Sequence, residues 1–197
     1  MISFEQEVKK LLDQYKVPYN DYGESGDSPD LHIQLTTGAF YLELKEKRQT
    51  YNPGQWPLIT HEHHSFIIDE FTVRKIMTKA PLVGVAIRDN TTGLYYFADV
   101  YTLVFSPHQR CNREMESIHG DEIVNIKGKW CLDMRFFPCF DNLKEMFITI
   151  KYYMTNLPTD PSNGVDCFNL YKIVSNIPVA GTKRSLESRE HDVEKTR

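Results

Sequence analysis

An α/β fold, a central mixed β-sheet flanked by helices, is predicted by three features of the chain. A stripe of apolar residues at helical spacing opens it. Two short strands with apolar and polar residues in alternation follow within residues 31–47, and a continuous apolar run at 82–87 has the character of a strand buried on both faces.

Ser3 followed by Gln6 is a capping-box signal, and Phe4, Val8, Leu11, Leu12 and Tyr15 share one helical face. A helix from Phe4 to Lys16 is expected, ended by Pro18. Val17 to Tyr22 reads as an edge strand leading into the loop GESGDS at 23–28, where Gly23 and Gly26 let the backbone turn. Leu31, Ile33 and Leu35 then alternate with His32 and Gln34, and Thr37-Gly38 supplies a tight turn. In the returning strand the period of two places Tyr41, Glu43 and Lys45 on one face and Phe40, Leu42 and Leu44 on the other. Asp69 to Lys79 reads as a helix stopped by Ala80-Pro81. After the apolar strand at 82–87 and the turn Asp89–Gly93, the stretch 94–104 reads as an aromatic-rich strand. Ser106 to Lys127 carries no clean period and reads as a loop or irregular insertion. Gly128 to Phe137 is expected as a strand, with Trp130, Leu132, Met134 and Phe136 on one side. Leu143, Met146, Phe147, Ile150 and Met154 mark a last helix, capped at Asp141 and stopped at Asn156-Leu157-Pro158. The expected organisation is a core over residues 1–104, a C-terminal elaboration packed on it over 105–180, and a mobile charged tail over 181–197.

With 197 residues, 41% apolar and 12% aromatic, the chain has a globular composition with enough length for a sizeable core. It has no run of 18 apolar residues and no signal-like N-terminal stretch, so an intracellular, cytoplasmic protein without membrane contact is expected. The four cysteines, Cys111, Cys131, Cys139 and Cys167, form no C-x-x-C pair and read as reduced packing residues. A net charge of −4 speaks against a general nucleic-acid coat protein. It leaves room for a local basic patch beside acidic catalytic residues.

The chemistry centres on the hairpin. Asp30 stands at the mouth of its first strand, and pairing of the strands makes Asp30, Glu43 and Lys45 converge. Two carboxylates supply hard oxygen ligands for Mg2+, which keeps several of its own waters. A lysine beside them positions or deprotonates an attacking water, or balances charge on a phosphoryl group. Hydrolysis of a phosphodiester is the reaction that this set suits. The rival reading of Glu43 and Lys45 is the solvated face of an amphipathic strand. On the first helix, Glu5 and Glu7 flank the apolar stripe on opposite sides, and the helical wheel does not choose between them. His61-Glu62-His63-His64 lacks the H-E-x-x-H spacing that sets two imidazoles on one helical face, so a surface loop is expected there rather than a zinc site.

Pro29-Asp30 followed by Glu43-Leu44-Lys45 resembles the signature of the PD-(D/E)xK nuclease superfamily. The order helix, three strands, helix, strand over residues 3–103 is similar to its restriction-endonuclease-like core, closest to the Holliday-junction-resolvase-like branch. The resemblance implies a metal-dependent DNA endonuclease in which Asp30, Glu43 and the carbonyl of Leu44 bind Mg2+, with Mn2+ able to substitute. It implies Lys45 at the attacking water and Glu7 as a further ligand from the first helix, in the register Glu7-Val8-Lys9-Lys10-Leu11-Leu12. It implies DNA contacts from the Gly/Ser loop at Ser25, from Lys47 and Arg48, and an orienting glutamine at Gln55, with Gln49 as the other candidate. Restriction-type and junction-type substrates both fit, as do a homodimer and a nicking monomer. A nuclease-fold protein that binds without cutting is the alternative.

Overall fold

The computed structural model of the chain describes residues 2–23, 26–35, 38–115 and 125–156. They fall within one compact unit, Met1–Leu157. Its first element is helix α1, Phe4–Gln14, whose capping box forms as the sequence requires: the Ser3 hydroxyl accepts from the Gln6 N–H, and the Gln6 side chain accepts from the Ser3 N–H. The apolar stripe buries Phe4, Val8 and Leu12.

The main sheet has six strands. β1 (Tyr19–Asp21), β2 (Leu31–Leu35) and β3 (Gly38–Lys47) are antiparallel neighbours. Next to β3, in parallel, runs β5 (Val83–Asp89), then antiparallel β6 (Leu94–Asp99) and the short β9 (Cys139–Phe140). The sheet is therefore mixed. Helices cover both faces of it. On one side α1 packs on β3, and α4 (Leu143–Asn156) packs on β6 and β9, with Tyr153 set edge-on to Phe40 and Phe97. On the other lie α2 (Glu70–Met77) and α3 (Val100–Phe105). Central β5 is buried at every residue, as its unbroken apolar run predicts.

A second sheet of three strands, in the order β4 (Ser65–Asp69), β8 (Asn125–Asp133), β7 (His108–Met115), closes the α2 side. Phe66, Ile68, Trp130 and Leu132 from this sheet, Val73 and Ile76 from α2, and Val83, Val85 and Ile87 from β5 make one core.

Five expectations change. The last helix is capped by Asn142, whose Oδ1 accepts from the Glu145 N–H, and not by Asp141. The aromatic strand at 94–104 ends at Asp99, because the Asp99 carboxylate accepts from the N–H groups of Tyr101 and Thr102 and starts α3 there. The stretch taken as a loop at 106–127 contains β7. That strand lies at the edge of the small sheet, where no second apolar face is required. β4 goes unanticipated for lack of a turn signal before it. The strand expected at 128–137 ends at Asp133, which caps a 3-10 turn at Met134–Phe136 and leaves Phe136 exposed while Phe137 takes the buried place. Residues past 104 supply β9 to the main sheet and α4 to its face. Ser25, the far end of the expected elaboration and the tail at 181–197 lie outside the described residues.

No described helix is long and apolar enough to cross a membrane.

Candidate active site

Pairing of β2 with β3 fixes the site. Leu31 faces Leu42, so Asp30, one residue before β2, stands level with Glu43. The Asp30 carboxylate is held there by the N–H of Leu44, 2.7 Å from Oδ2. Its backbone carbonyl accepts from the N–H of Tyr22 at 2.8 Å, which ties the loop before β2 to the end of β1. The N–H and C=O of one strand residue point to the same side of the strand. The Leu44 carbonyl is thus directed toward Asp30, beyond the point where β2 stops pairing.

Glu43 is fully buried, which the solvated-face reading does not allow. Its two oxygens lie between two ammonium groups. Lys45 donates to Oε1 at 2.6 Å, and Nζ of Lys75 lies 2.9 Å from Oε2. That second approach is an ion pair without hydrogen-bond alignment, so Oε2 remains a buried oxygen with no hydrogen-bond donor. Lys75 comes from α2 and is largely buried itself. The proximity of Glu43 is felt at Asp30. Burial first, and then the charge of Glu43, push the Asp30 carboxyl above the usual carboxylate range, while the Leu44 N–H, Lys45 and Lys75 oppose the rise.

Asp30, Leu44 and Lys45 open onto a cleft of about 440 Å³, together with Ser3, Phe4, Glu5, Gly23, Glu46 and Arg48. Glu5 is therefore the α1 glutamate that faces this site. Lys9 bridges it to Asp21, whose other oxygen accepts from the Gly23 N–H. Glu7, expected as a further ligand, is turned away. Residues 5 and 7 point about 200° apart around a helix, and on the Glu7 side Arg88 of β5 approaches Oε2 at 2.8 Å and the Tyr95 hydroxyl donates to Oε1 at 2.6 Å. Burial and the Glu7 carboxylate push the Tyr95 phenol up to about 12.

Of the residues expected at DNA, Arg48 sits at the rim of the cleft, 77% exposed, with its guanidinium anchored on Glu46 Oε2 at 2.7 Å. Lys47 does not reach a phosphate. It is fully buried, paired with Asp89 at 3.4 Å and donating to the carbonyls of Glu62 and His63. The segment just before β4 and Asp89 at the end of β5 close over it. Gln55 is exposed in the turn begun at Asn52 and does not line the cleft.

Among the described residues no three His, Cys, Asp or Glu side chains are grouped to hold a metal. The His61 and His63 rings stack on each other, 5.1 Å apart. Asp30 and Glu43 are a two-carboxylate set. Two mutually repelling carboxylates with a backbone carbonyl on the same side are the hard oxygen donors that a divalent cation keeping its remaining waters takes, and in this structure both Glu43 oxygens face ammonium groups. Lys75 is the residue that the sequence did not disclose. It sits between the buried Val73 and Ile76 at the edge of the apolar stripe of α2, which is its only local signal.

No protein-family model matches the chain, and no curated protein matches it. Among solved structures it is similar to a nuclease from a fusselovirus, 10% identical over 75% of this chain and 85% of that one, with a TM-score of 0.39.

Proposed function

We propose that the protein is a Mg2+-dependent DNA endonuclease of the PD-(D/E)xK type, hydrolysing phosphodiester bonds at the cleft beside Asp30, Glu43 and Lys45. The observation that carries the proposal is the convergence of the two carboxylates at one level of the β2–β3 pair with the Lys45 ammonium on Glu43. Asp30, Glu43 and the Leu44 carbonyl would hold the cation. When bound, Mg2+ supplies positive charge to the scissile phosphoryl group and favours ionisation of the attacking water.

The chain's own groups do the rest. The Leu44 N–H fixes the Asp30 carboxylate, and Lys45, held on Glu43, would donate to the attacking water or to a non-bridging phosphoryl oxygen. Lys75 balances Glu43 from the opposite side. Arg48, at the rim of the cleft, would contact the flanking phosphate.

The same double engagement of Glu43 supports a second reading, a nuclease-fold binding protein that does not cut, in which Lys45 and Lys75 neutralise the glutamate permanently. Supercoiled plasmid incubated with wild type and Glu43→Ala, with Mg2+ or EDTA, separates the two. Cutting by wild type alone and only with metal supports the enzyme. Absence of cutting on plasmid and on four-way junctions by a folded wild type supports the binder. Discrete bands would mark sequence readout, and cutting confined to junctions would mark structure readout.

A further inference from the structure

We propose that the ribbon formed by β7 and β8 carries a binding surface for the backbone of duplex nucleic acid, with Arg113 and Lys127 as its phosphate contacts. Its choice of ligand rests on the nuclease reading, and the surface itself rests on the following.

Arg113 and Lys127 are directly opposite each other in the antiparallel register, so both side chains leave the same face. Like charges placed so repel, and among the described residues neither has a carboxylate partner. Every neighbouring cation does: Arg74 and Arg110 are paired with Glu70, Lys129 with Asp69, and Arg135 with Asp133. Among the described residues the unneutralised pair is thus local rather than part of a general basic surface on an acidic chain. An anion between the two side chains removes the repulsion.

Arg113 is also pre-positioned. Its guanidinium lies over the ring of Trp56 at 4.2 Å, which fixes the plane and leaves the N–H edges to donate. Lys127 is exposed. The last residue pair that β4 shares with β8 is Asp69 with Lys129. Beyond it, the pairs from Asn112–Gly128 to Met115–Asn125 continue as a two-stranded ribbon alone, a shape of the size that a major groove admits.

At the base of the ribbon, on the face opposite Arg113 and Lys127, Glu70 reaches Arg110 and packs on Gly128, where an added Cβ would clash with the Glu70 carboxylate. Glu70 opens α2 and Lys75, five residues on, meets Glu43, a rise of about 8 Å at about 1.5 Å per residue. Trp56 lies in the segment that leaves β3 just past Arg48.

The test is anisotropy of a fluorescein-labelled duplex oligonucleotide in EDTA across a series of KCl concentrations. It compares wild type, Lys127→Gln, Arg113→Gln, the double variant, Arg113→Lys, and Lys144→Gln on α4 as a control from the opposite side of the main sheet. The double variant is expected to bind about tenfold more weakly at ~0.1 M salt, with the log–log salt slope shallower by about 2 and each single by about 1. Arg113→Lys keeps the charge and the slope, and Lys144→Gln leaves the slope unchanged. A folded double variant with the wild-type slope overturns the proposal, as does a wild type that binds no duplex. Since EDTA suppresses cutting, a protein that binds with the expected slope and never cleaves with Mg2+ keeps this surface and loses the nuclease reading. Cleavage with an unchanged slope does the reverse.

Discussion

Lys47→Met gives the sharpest division between a phosphate-binding lysine and a structural one. Lys47 and Asp89 are both fully buried, with Nζ 3.4 Å from Oδ2. At an effective dielectric of about 20 that separation corresponds to about 5 kcal/mol of attraction. The attraction is set against the desolvation of both charges. Methionine keeps most of the side-chain volume and removes the ammonium, leaving Asp89 buried with only Thr91 donating to its other oxygen. Breaking one side of such a pair costs about 3–5 kcal/mol, a third or more of the total stability of many domains. For a unit of this size it lowers Tm by about 6–20 °C. Urea unfolding followed by tryptophan fluorescence reads the change, since Trp130 lies in the core. Adding Asp89→Asn, which removes the stranded charge but still accepts from Thr91, should recover part of the loss. A Lys47→Met protein with the wild-type urea midpoint and weakened DNA binding would refute the structural role and return Lys47 to the phosphate.

Asp30→Asn should raise stability while removing activity. A carboxyl whose folded pKa is raised binds more protons folded than unfolded between its usual value near 3.8 and the raised one, so its contribution is greatest below 3.8 and falls as pH climbs through that window. The variant should melt above wild type at pH 7 and lose that advantage in acid, and Mg2+ should raise the Tm of wild type only. Lys75→Met removes one of the charges that hold the Asp30 pKa down, so the acid limb of the pH–rate profile should move to higher pH; an unmoved limb would show that Lys75 does not act on Asp30. Glu7→Gln should cost about 1.5–3 kcal/mol through its bonds to Arg88 and Tyr95 and leave Mn2+ binding unchanged, whereas Glu5→Gln should weaken Mn2+ binding measured by electron paramagnetic resonance; the opposite pattern would put Glu7 back at the cleft.

The parts of the site that were legible in sequence are those set by local period. Asp30, Glu43 and Lys45 come together because a strand alternates every two residues and β2 pairs with β3 in antiparallel register, and both facts lie within residues 30–45. The parts that were not legible depend on distant packing. The period of two also puts Lys47 on the Glu43 face, but its burial is made by the carbonyls of Glu62 and His63 and by Asp89, 15 to 42 residues further on. Lys75 reads locally as one more polar residue on α2, and only the packing of that helix on the sheet carries it to Glu43. The choice between Glu5 and Glu7 is made by Arg88 and Tyr95, about 80 residues further on. Asp99 was legible and missed, since an aspartate ahead of Val-Tyr-Thr is a cap signal inside what otherwise reads as a long strand.

The most direct test of the central claim compares wild type, Asp30→Asn and Glu43→Gln for Mn2+ binding and for nicking of supercoiled plasmid or four-way junctions in Mg2+, with folding checked by circular dichroism. The account predicts that wild type binds the metal and cuts, and that both variants stay folded and lose both properties together. Cutting at the wild-type rate by either folded variant would contradict it.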